Sequence, residues 1–205
     1  VERSRGLGDV YKRQIQVSVK KLLKRIKLTT IIVTHDSYEA FSMADKCGII
    51  LNQELKQFDI PYNVHHEPNS INVANFLNKG IFIDVKVVDS ECAVHRLEHE
   101  ELGEIRGKLS NDFPSGSKVK LLLQPEDLIH DDQSKLRLEV VDRKFRGTNF
   151  IYTLRTKKGE HLPVFVHSHH IHQHEKSEQF GVKSPIYIDH LVCCLLYTSP
   201  SPRDL

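Results

Sequence analysis

The sequence predicts an α/β segment followed by a small all-β barrel or sandwich. Residues 30–34 form an uncharged, β-branched run, which is typical of a strand buried on both faces of a parallel sheet. Stretches with helical hydrophobic spacing lie on both sides of this run. After residue 79 the helical spacing gives way to short apolar or alternating runs separated by turn residues, as in all-β domains.

Helices flank the predicted strand of residues 30–34. Hydrophobic residues recur between residues 19 and 26 with the spacing of a one-faced helix, and lysines and arginines cover the opposite face. Asp36 and Glu39 have the spacing of a capped helix start, so a second helix is predicted over residues 37–44.

Two short strands and two short helices complete the first part. An apolar strand is predicted over residues 47–51, and a turn at Asn52-Gln53 leads into a second strand over residues 55–58. Pro61 is suited to the first turn of a brief helix, and Pro68 precedes another one. The side chains expected to pack inward from this last helix are Val73, Phe76 and Leu77.

Six strands are predicted in the second part of the chain, which begins near Lys79. The fourth and fifth of them are expected to form a hairpin across Lys157-Lys158-Gly159. Such a set closes best as a barrel or sandwich. The predicted strands cover residues 81–85, 118–123, 136–142, 149–156, 161–166 and 186–192.

The two ends of the chain have an explanation at the level of DNA. One DNA segment, read in opposite orientations, can encode both residues 4–14 and residues 194–204. We therefore interpret residues 1–14 and 194–205 as translated sequencing adapter and exclude them from fold reasoning. The natural segment is expected to cover residues 15–193 and to be truncated at both ends.

Composition limits the functional classes. The whole chain has 29 basic and 27 acidic residues, but the natural segment balances them, so its charge gives no argument for nucleic acid or an anionic membrane as a partner. Cys47, Cys92 and Cys193 are scattered, which suits a reduced, cytosolic protein better than a disulfide scaffold. No apolar run is long enough to predict a transmembrane helix.

Four motifs occur in a defined order in the first part. Ile32-Val33-Thr34-His35-Asp36 is followed by Glu39-Ala40, then by Ile49-Ile50-Leu51 and by Val73-Ala74-Asn75-Phe76-Leu77. In this order they resemble the C-terminal portion of the P-loop nucleotide-binding domain found in ATPase subunits of bacterial ABC importers. The resemblance assigns residues 15–78 to that domain.

The second part contains a marker of its own. The segment from Gly116 to Asp127 resembles the accessory, OB-like β domain called TOBE, which those subunits carry after the nucleotide-binding domain. The resemblance assigns residues 79–193 to such a domain. Gln124 stands where the family usually has arginine, so no role is transferred to this position.

Finer similarity points to the iron(III) branch of these importers. Phe145-Arg146-Gly147, Tyr152-Thr153-Leu154-Arg155 and Ser168-His169-His170 with His174 nearby resemble the accessory domain of ferric-ion import ATPases. Polyamine, sulfate and other oxyanion importers have related layouts and remain alternatives. A stand-alone regulatory module, whose β domain binds a small anion without ATPase activity, also remains open.

The resemblance implies one catalytic residue in this chain. His35 matches the family's switch histidine. The ring of that histidine contacts the γ-phosphate of ATP or the attacking water, and it couples the presence of the phosphate to domain closure. The phosphate-binding loop, the signature motif and the strand that ends in the Mg²⁺-ordering aspartate and the catalytic glutamate are absent from the sequence. ATP and Mg²⁺ are therefore expected to bind mainly to missing parts, and this polypeptide is expected not to hydrolyse ATP.

The resemblance also implies partners and a location. The expected partners are a second copy of the ATPase subunit, the transmembrane permease subunits and, indirectly, a solute-binding protein outside the cell. The expected location is the cytoplasmic face of the cell membrane, as a peripheral protein. No nucleic-acid partner is expected, because stacking aromatic residues in a basic groove are not evident.

Histidines form two clusters that could bind metal. Imidazoles suit Zn, Cu or Ni. Successive residues of an extended chain point to opposite sides, however, so the histidines would not all converge on one ion. The longer run therefore predicts a strand end entering a polar loop and no metal site. The spacing of His95 and His99 would suit one helix face, but the glutamates around them favour a solvated surface. The longer run comprises His167, His169, His170, His172 and His174.

Overall fold

The computed structural model divides into two compact units, Val1–His66 (unit 1) and Glu67–Leu205 (unit 2), and each is described by itself. The division falls before the change of sequence texture at residue 79, because the short helix that precedes residue 79 packs with the strands of unit 2. In that packing, buried Ala74 shares a small cluster with Leu122 and Val192. The described residues are 2–77, 80–91, 94–109, 113–169 and 174–195.

Residues 2–66, the described part of unit 1, form three helices and one β-hairpin. The hairpin is antiparallel, and its turn residues Asn52 and Gln53 both have positive φ, 52° and 65°, as in the tight turns that match strand twist. The predicted strands, turn and helices of residues 37–66 are thereby confirmed. The elements are α1 (Glu2–Ile26), α2 (Ser37–Met43), β1 (Cys47–Leu51), β2 (Glu54–Asp59) and α3 (Pro61–His66).

The strand predicted over residues 30–34 is wrong for this structure. These residues form no strand, and Ile31 and Val33 are 89% and 94% exposed. A parallel strand needs hydrogen-bonding neighbours, and among the described residues of unit 1 the strands β1 and β2 pair only with each other. The parallel α/β sheet of a P-loop domain is therefore not shown by unit 1.

The hydrophobic face of α1 is also largely uncovered. The helix forms as predicted over residues 19–26, but Val19, Leu22 and Ile26 remain substantially exposed. Within the described part of unit 1, the buried hydrophobic residues are Cys47, Ile49 and Val64. No described helix in either unit is both long and apolar enough to cross a membrane.

The described residues of unit 2 form one short helix and two sheets. The larger sheet has six strands in the order β11-β5-β4-β3-β6-β12, and the smaller has four in the order β10-β7-β8-β9. The elements are α4 (Ile71–Phe76), β3 (Ile81–Glu91), β4 (Val94–His99), β5 (Gly103–Leu109), β6 (Lys118–Leu123), β7 (Arg137–Phe145), β8 (Asn149–Arg155), β9 (His161–His167), β10 (Gln179–Gly181), β11 (Ile186–Leu191) and β12 (Cys193–Leu195).

Both sheets of unit 2 contribute to one hydrophobic core. Ile83, Leu97 and Leu121 of the larger sheet belong to the same buried cluster as Tyr152 and Leu154 of the smaller one. All six predicted strands form, and β8 and β9 pair as the predicted hairpin, with Arg155 opposite His161. The all-β prediction for this part is therefore confirmed.

Two predictions about side-chain burial in unit 2 are wrong. Phe76 was expected to pack inward from α4, but it is half exposed, and Ala74 is buried beside Val73 instead. His95 and His99 were expected on a solvated surface, but both are buried on the inward face of β4. Glu98, which lies between them on β4, is exposed on the opposite face, because side chains alternate along a strand.

Candidate functional site

His35 lies in the short connection that enters α2. The connection ends with Asp36, which is the N-cap of the helix: the amides of Tyr38 and Glu39 donate to Asp36 Oδ1 at 2.9 and 3.2 Å. Such a cap satisfies amides that the first helical turn leaves without a helical partner. The capped helix start predicted from the sequence is therefore confirmed.

The residues around His35 are braced through Glu39. The Thr34 hydroxyl donates to Glu39 Oε2 at 2.5 Å and accepts from the Asp36 amide at 3.1 Å, while Gln16 Nε2 donates to Glu39 Oε1 at 2.7 Å. The hydrogen bond from Thr34, followed by that from Gln16, holds the pKa of Glu39 below its usual value.

His35 is thus flanked by two residues that are tied to the start of α2. Its own side chain is exposed. An imidazole in this position can donate to, or accept from, a ligand that approaches from solvent near neutral pH.

The predicted histidine run divides into parts with different surroundings. His167 ends β9 and is exposed, and His169 is exposed in the turn that follows. His170 and His172 lie outside the described residues. His174 is buried, and its side chain approaches two residues that the sequence reasoning missed.

Those two residues are His130 and Asp132. The Nε2 atoms of His130 and His174 lie 2.8 Å apart, and Asp132 Oδ1 lies 3.2 Å from His130 Nε2 and 3.9 Å from His174 Nε2. All three ligand atoms lie within 4.8 Å of one another. No local pattern could have revealed the group, because 44 residues separate the two histidines.

Close backbone packing positions His130. It forms an isolated antiparallel bridge with Val182, and the Asp131 amide donates to the Gly181 carbonyl at 3.0 Å. A Cβ atom at Gly181 would lie 2.0 Å from the Asp131 carbonyl oxygen. Only glycine therefore permits this approach without displacement of the backbone.

Polar contacts fix the backbone of His174. Its amide donates to the Tyr152 hydroxyl at 3.3 Å, and its carbonyl accepts from Arg143 Nη1 at 3.3 Å. The Phe180 ring lies against both imidazoles, with centroid distances of 4.6 Å to His130 and 5.0 Å to His174. The two rings are thus held by the protein on several sides.

The marker segment that ends at Asp127 contains a perturbed carboxyl group. Asp127 Oδ2 accepts from the Gln124 amide at 2.7 Å. Burial nevertheless raises the pKa of Asp127 to about 7, and the negative charges of Glu126 and Asp189 act in the same direction. The short turn after β6 is therefore stabilised by a carboxyl group that is easily protonated.

Several known proteins are similar to this chain in sequence, although no protein-family model matches it. The protein named spermidine/putrescine import ATP-binding protein PotA from Mycoplasmopsis synoviae is 24% identical over 97% of this chain and 41% of its own length. The protein of the same name from Hahella chejuensis is 24% identical over 87% of this chain and 50% of its own length.

The chain is similar to ATP-binding subunits of spermidine/putrescine importers. In Ureaplasma parvum the protein of that name is 30% identical over 69% of this chain. That match covers 27% of the relative, so the chain spans half or less of the length of these relatives.

A solved structure also aligns with part of the chain. It is the cytoplasmic molybdate-binding protein ModG, with 9% identity and a TM-score of 0.44. The alignment covers 57% of this chain and 96% of that protein.

Proposed function

We propose that this chain is the C-terminal part of the ATP-binding subunit of an ABC importer that takes up polyamines. The observation that carries the proposal is the similarity, across almost the whole chain, to proteins named for spermidine/putrescine import. In such subunits ATP hydrolysis drives the transport, and catalysis depends on positioning and charge stabilisation more than on covalent chemistry.

The exposure of residues 30–33 supports the proposal that this chain is only part of a nucleotide-binding domain. Their β-branched side chains would be buried if further strands of a nucleotide-binding domain lay on either side of them. His35 would then follow the carboxyl end of a central strand, where open α/β sheets place their ligands.

His35 is proposed as the switch histidine of the complete subunit. The cap at Asp36 and the brace between Thr34 and Glu39 hold the connection on both sides of it. Contact between the imidazole and the γ-phosphate of ATP, or the attacking water, would report nucleotide occupancy to the rest of the subunit. ATP and Mg²⁺ would be bound mainly by segments that this sequence lacks, so the chain alone is expected to be inactive.

The complete subunit would act within a larger assembly. Its proposed partners are a second copy of itself and the permease subunits, with a solute-binding protein contacted only through the permease. It would then reside on the cytoplasmic face of the membrane as a peripheral protein. The same proposal assigns residues 15–78 to the nucleotide-binding domain and residues 79–193 to an accessory TOBE domain. It also includes the adapter origin of both ends of the chain.

Polyamine replaces iron(III) as the proposed solute. The similar proteins named above are polyamine-import subunits, and none of their names supports iron. The stand-alone regulatory module remains the second candidate, because unit 2 has a hydrophobic core of its own.

The DNA upstream of this segment separates the two candidates. An in-frame phosphate-binding loop followed by a signature motif would support the importer subunit. A start codon immediately before residue 15 would instead establish the stand-alone module and contradict the proposal.

The complete subunit then permits a test of His35. We expect His35→Ala to lower kcat for ATP hydrolysis by about 10² or more, on the scale of losing one contact to a developing charge. Tyr38→Ala, at an exposed position three residues further along the chain, is the matched control and should leave kcat unchanged. Equal activities of the two variants would refute the role of His35.

A further inference from the structure

We propose that His130, Asp132 and His174 form a binding site in unit 2 for a divalent transition-metal ion of the Zn²⁺ type. The site is independent of the ATPase assignment, because it involves neither His35 nor unit 1. It joins residues from the segment after β6 to one from the segment before β10.

The distances match such an ion after a small adjustment. Tetrahedral coordination with Zn–N bonds of about 2.0–2.1 Å places two ligand nitrogens roughly 3.3 Å apart. The Nε2 atoms of His130 and His174 are 2.8 Å apart, and Asp132 Oδ1 is 3.2 and 3.9 Å from them. A separation of the two rings by a fraction of an ångström would admit the ion, which would replace the proton that the two imidazoles share.

The ligand types select among metals. Two imidazole nitrogens and one carboxylate oxygen suit Zn²⁺, Co²⁺, Ni²⁺ or Cu²⁺, whereas Mg²⁺ and Ca²⁺ prefer oxygen ligands. Three protein ligands leave a fourth position for water. The half-exposed carboxylate of Asp132 places water within reach of that position.

The imidazoles are held in place before any ion binds. The side chain of His130 is 4% exposed, and Phe180 packs against both rings. Hydrogen bonds from the His174 amide to Tyr152 and from Arg143 to the His174 carbonyl anchor the other ligand. Such preorganisation reduces the ordering that binding would otherwise require.

Outer-shell contacts complete the arrangement. Glu178 Oε2 lies 3.7 Å from His174 Nδ1, on the ring nitrogen that faces away from the site. Ligand histidines commonly direct that nitrogen toward a carboxylate, which fixes the tautomer. Arg137 donates to the backbone carbonyl of Asp132 and leaves the Asp132 carboxylate available to the histidines.

The test is Zn²⁺ binding to the untagged full chain by isothermal titration calorimetry, with Co²⁺ absorption as a second readout. We expect one Zn²⁺ per chain, a higher Tm with Zn²⁺ than without it, and visible Co²⁺ bands typical of four-coordinate nitrogen and oxygen ligands. Asp132→Asn should weaken binding at least about tenfold, the scale on which even outer-shell partners act.

Two further variants keep the test decisive. His130→Gln removes a ligand from the buried side, and its metal-free Tm separates a folding defect from lost binding. The control is the double variant His167→Ala/His169→Ala, which removes exposed histidines of the same run and should bind Zn²⁺ as the unchanged chain does. No Zn²⁺ binding by the unchanged chain, or binding lost only in the double variant, would overturn the proposal.

Discussion

Unit 1 and unit 2 differ in how far their hydrophobic side chains are buried. Unit 2 buries a large cluster of them between its two sheets, and Leu154 and Leu97 in that cluster have no exposed surface. Unit 1 leaves Ile31 and Val33 almost fully exposed, although burying such a side chain stabilises a fold by about 1.5–3 kcal/mol. The difference is what the proposed assignment predicts, with unit 2 as a self-sufficient β domain and unit 1 as part of an incomplete α/β domain.

Truncation of a core side chain in unit 2 is expected to have the largest effect on stability. Leu154→Ala in unit 2 should lower the free energy of unfolding by about 2–5 kcal/mol, because it leaves a cavity in a fully packed core. Val33→Ala in unit 1 is the matched exposed substitution and should change it by no more than about 0.5 kcal/mol. Urea denaturation measures both, and a large effect of Val33→Ala would show that residues 30–34 are buried in this chain.

A backbone test of unit 2 comes next. Gly181→Ala places a Cβ against the Asp131 carbonyl oxygen, so it should destabilise unit 2 by about 1–3 kcal/mol and displace His130. Gly48→Ala in unit 1 is the control, because the tightest contact of its Cβ would be the flexible Leu55 side chain at 3.1 Å, with Phe58 and the Gln57 carbonyl oxygen at 3.5 and 4.0 Å. Similar losses for both variants in thermal unfolding would argue against the close approach at Gly181.

The pH dependence of unit 2 should reflect Asp127. Burial raises its pKa from 3.8 to about 7, so the folded state holds this proton more tightly than the unfolded state does. The resulting stabilisation is complete below about pH 4 and is lost as pH rises through 7. Asp127→Asn has no such proton, so its stability relative to the unchanged chain should be greater at pH 8 than at pH 5. Chemical denaturation at both values tests this, and an unchanged difference would contradict the raised pKa.

The smallest expected effect concerns the helix cap in unit 1. Asp36→Ala removes the acceptor for the amides of Tyr38 and Glu39 and should destabilise α2 by about 1 kcal/mol. Faster hydrogen exchange at those two amides, with β8 in unit 2 unaffected, is the expected readout. Unchanged exchange in α2 would show that the cap is not formed in solution.

The sequence predicts those elements whose apolar residues are contiguous or alternate with polar ones. The strands β6, β8 and β9 are of this kind. In β4, however, the buried positions are His95, Leu97 and His99. Because two of these three residues are polar, the alternation of buried and exposed positions is not visible in the sequence as an alternation of apolar and polar residues. His99 tolerates burial because its Nδ1 accepts from two amides and its Nε2 lies 3.2 Å from Glu160 Oε2.

Other features depend on contacts that a single segment does not specify. Residues 30–34 have the composition of a strand, but a strand also needs neighbouring strands with which to form hydrogen bonds. The group of His130, Asp132 and His174 forms only when two distant segments meet beside Phe180. The role of His35 stays a prediction, because its ligand would be bound mainly by other parts of a complete subunit.

Hydrogen exchange at residues 31–33 tests the central claim most directly. The measurement compares this chain with the complete subunit, once the upstream DNA is known, and uses β8 as a protected reference in both. We predict rapid exchange of these amides in the chain and strong protection in the complete subunit, where they would form a central strand. Rapid exchange in both proteins would contradict the account of unit 1 as part of a nucleotide-binding domain.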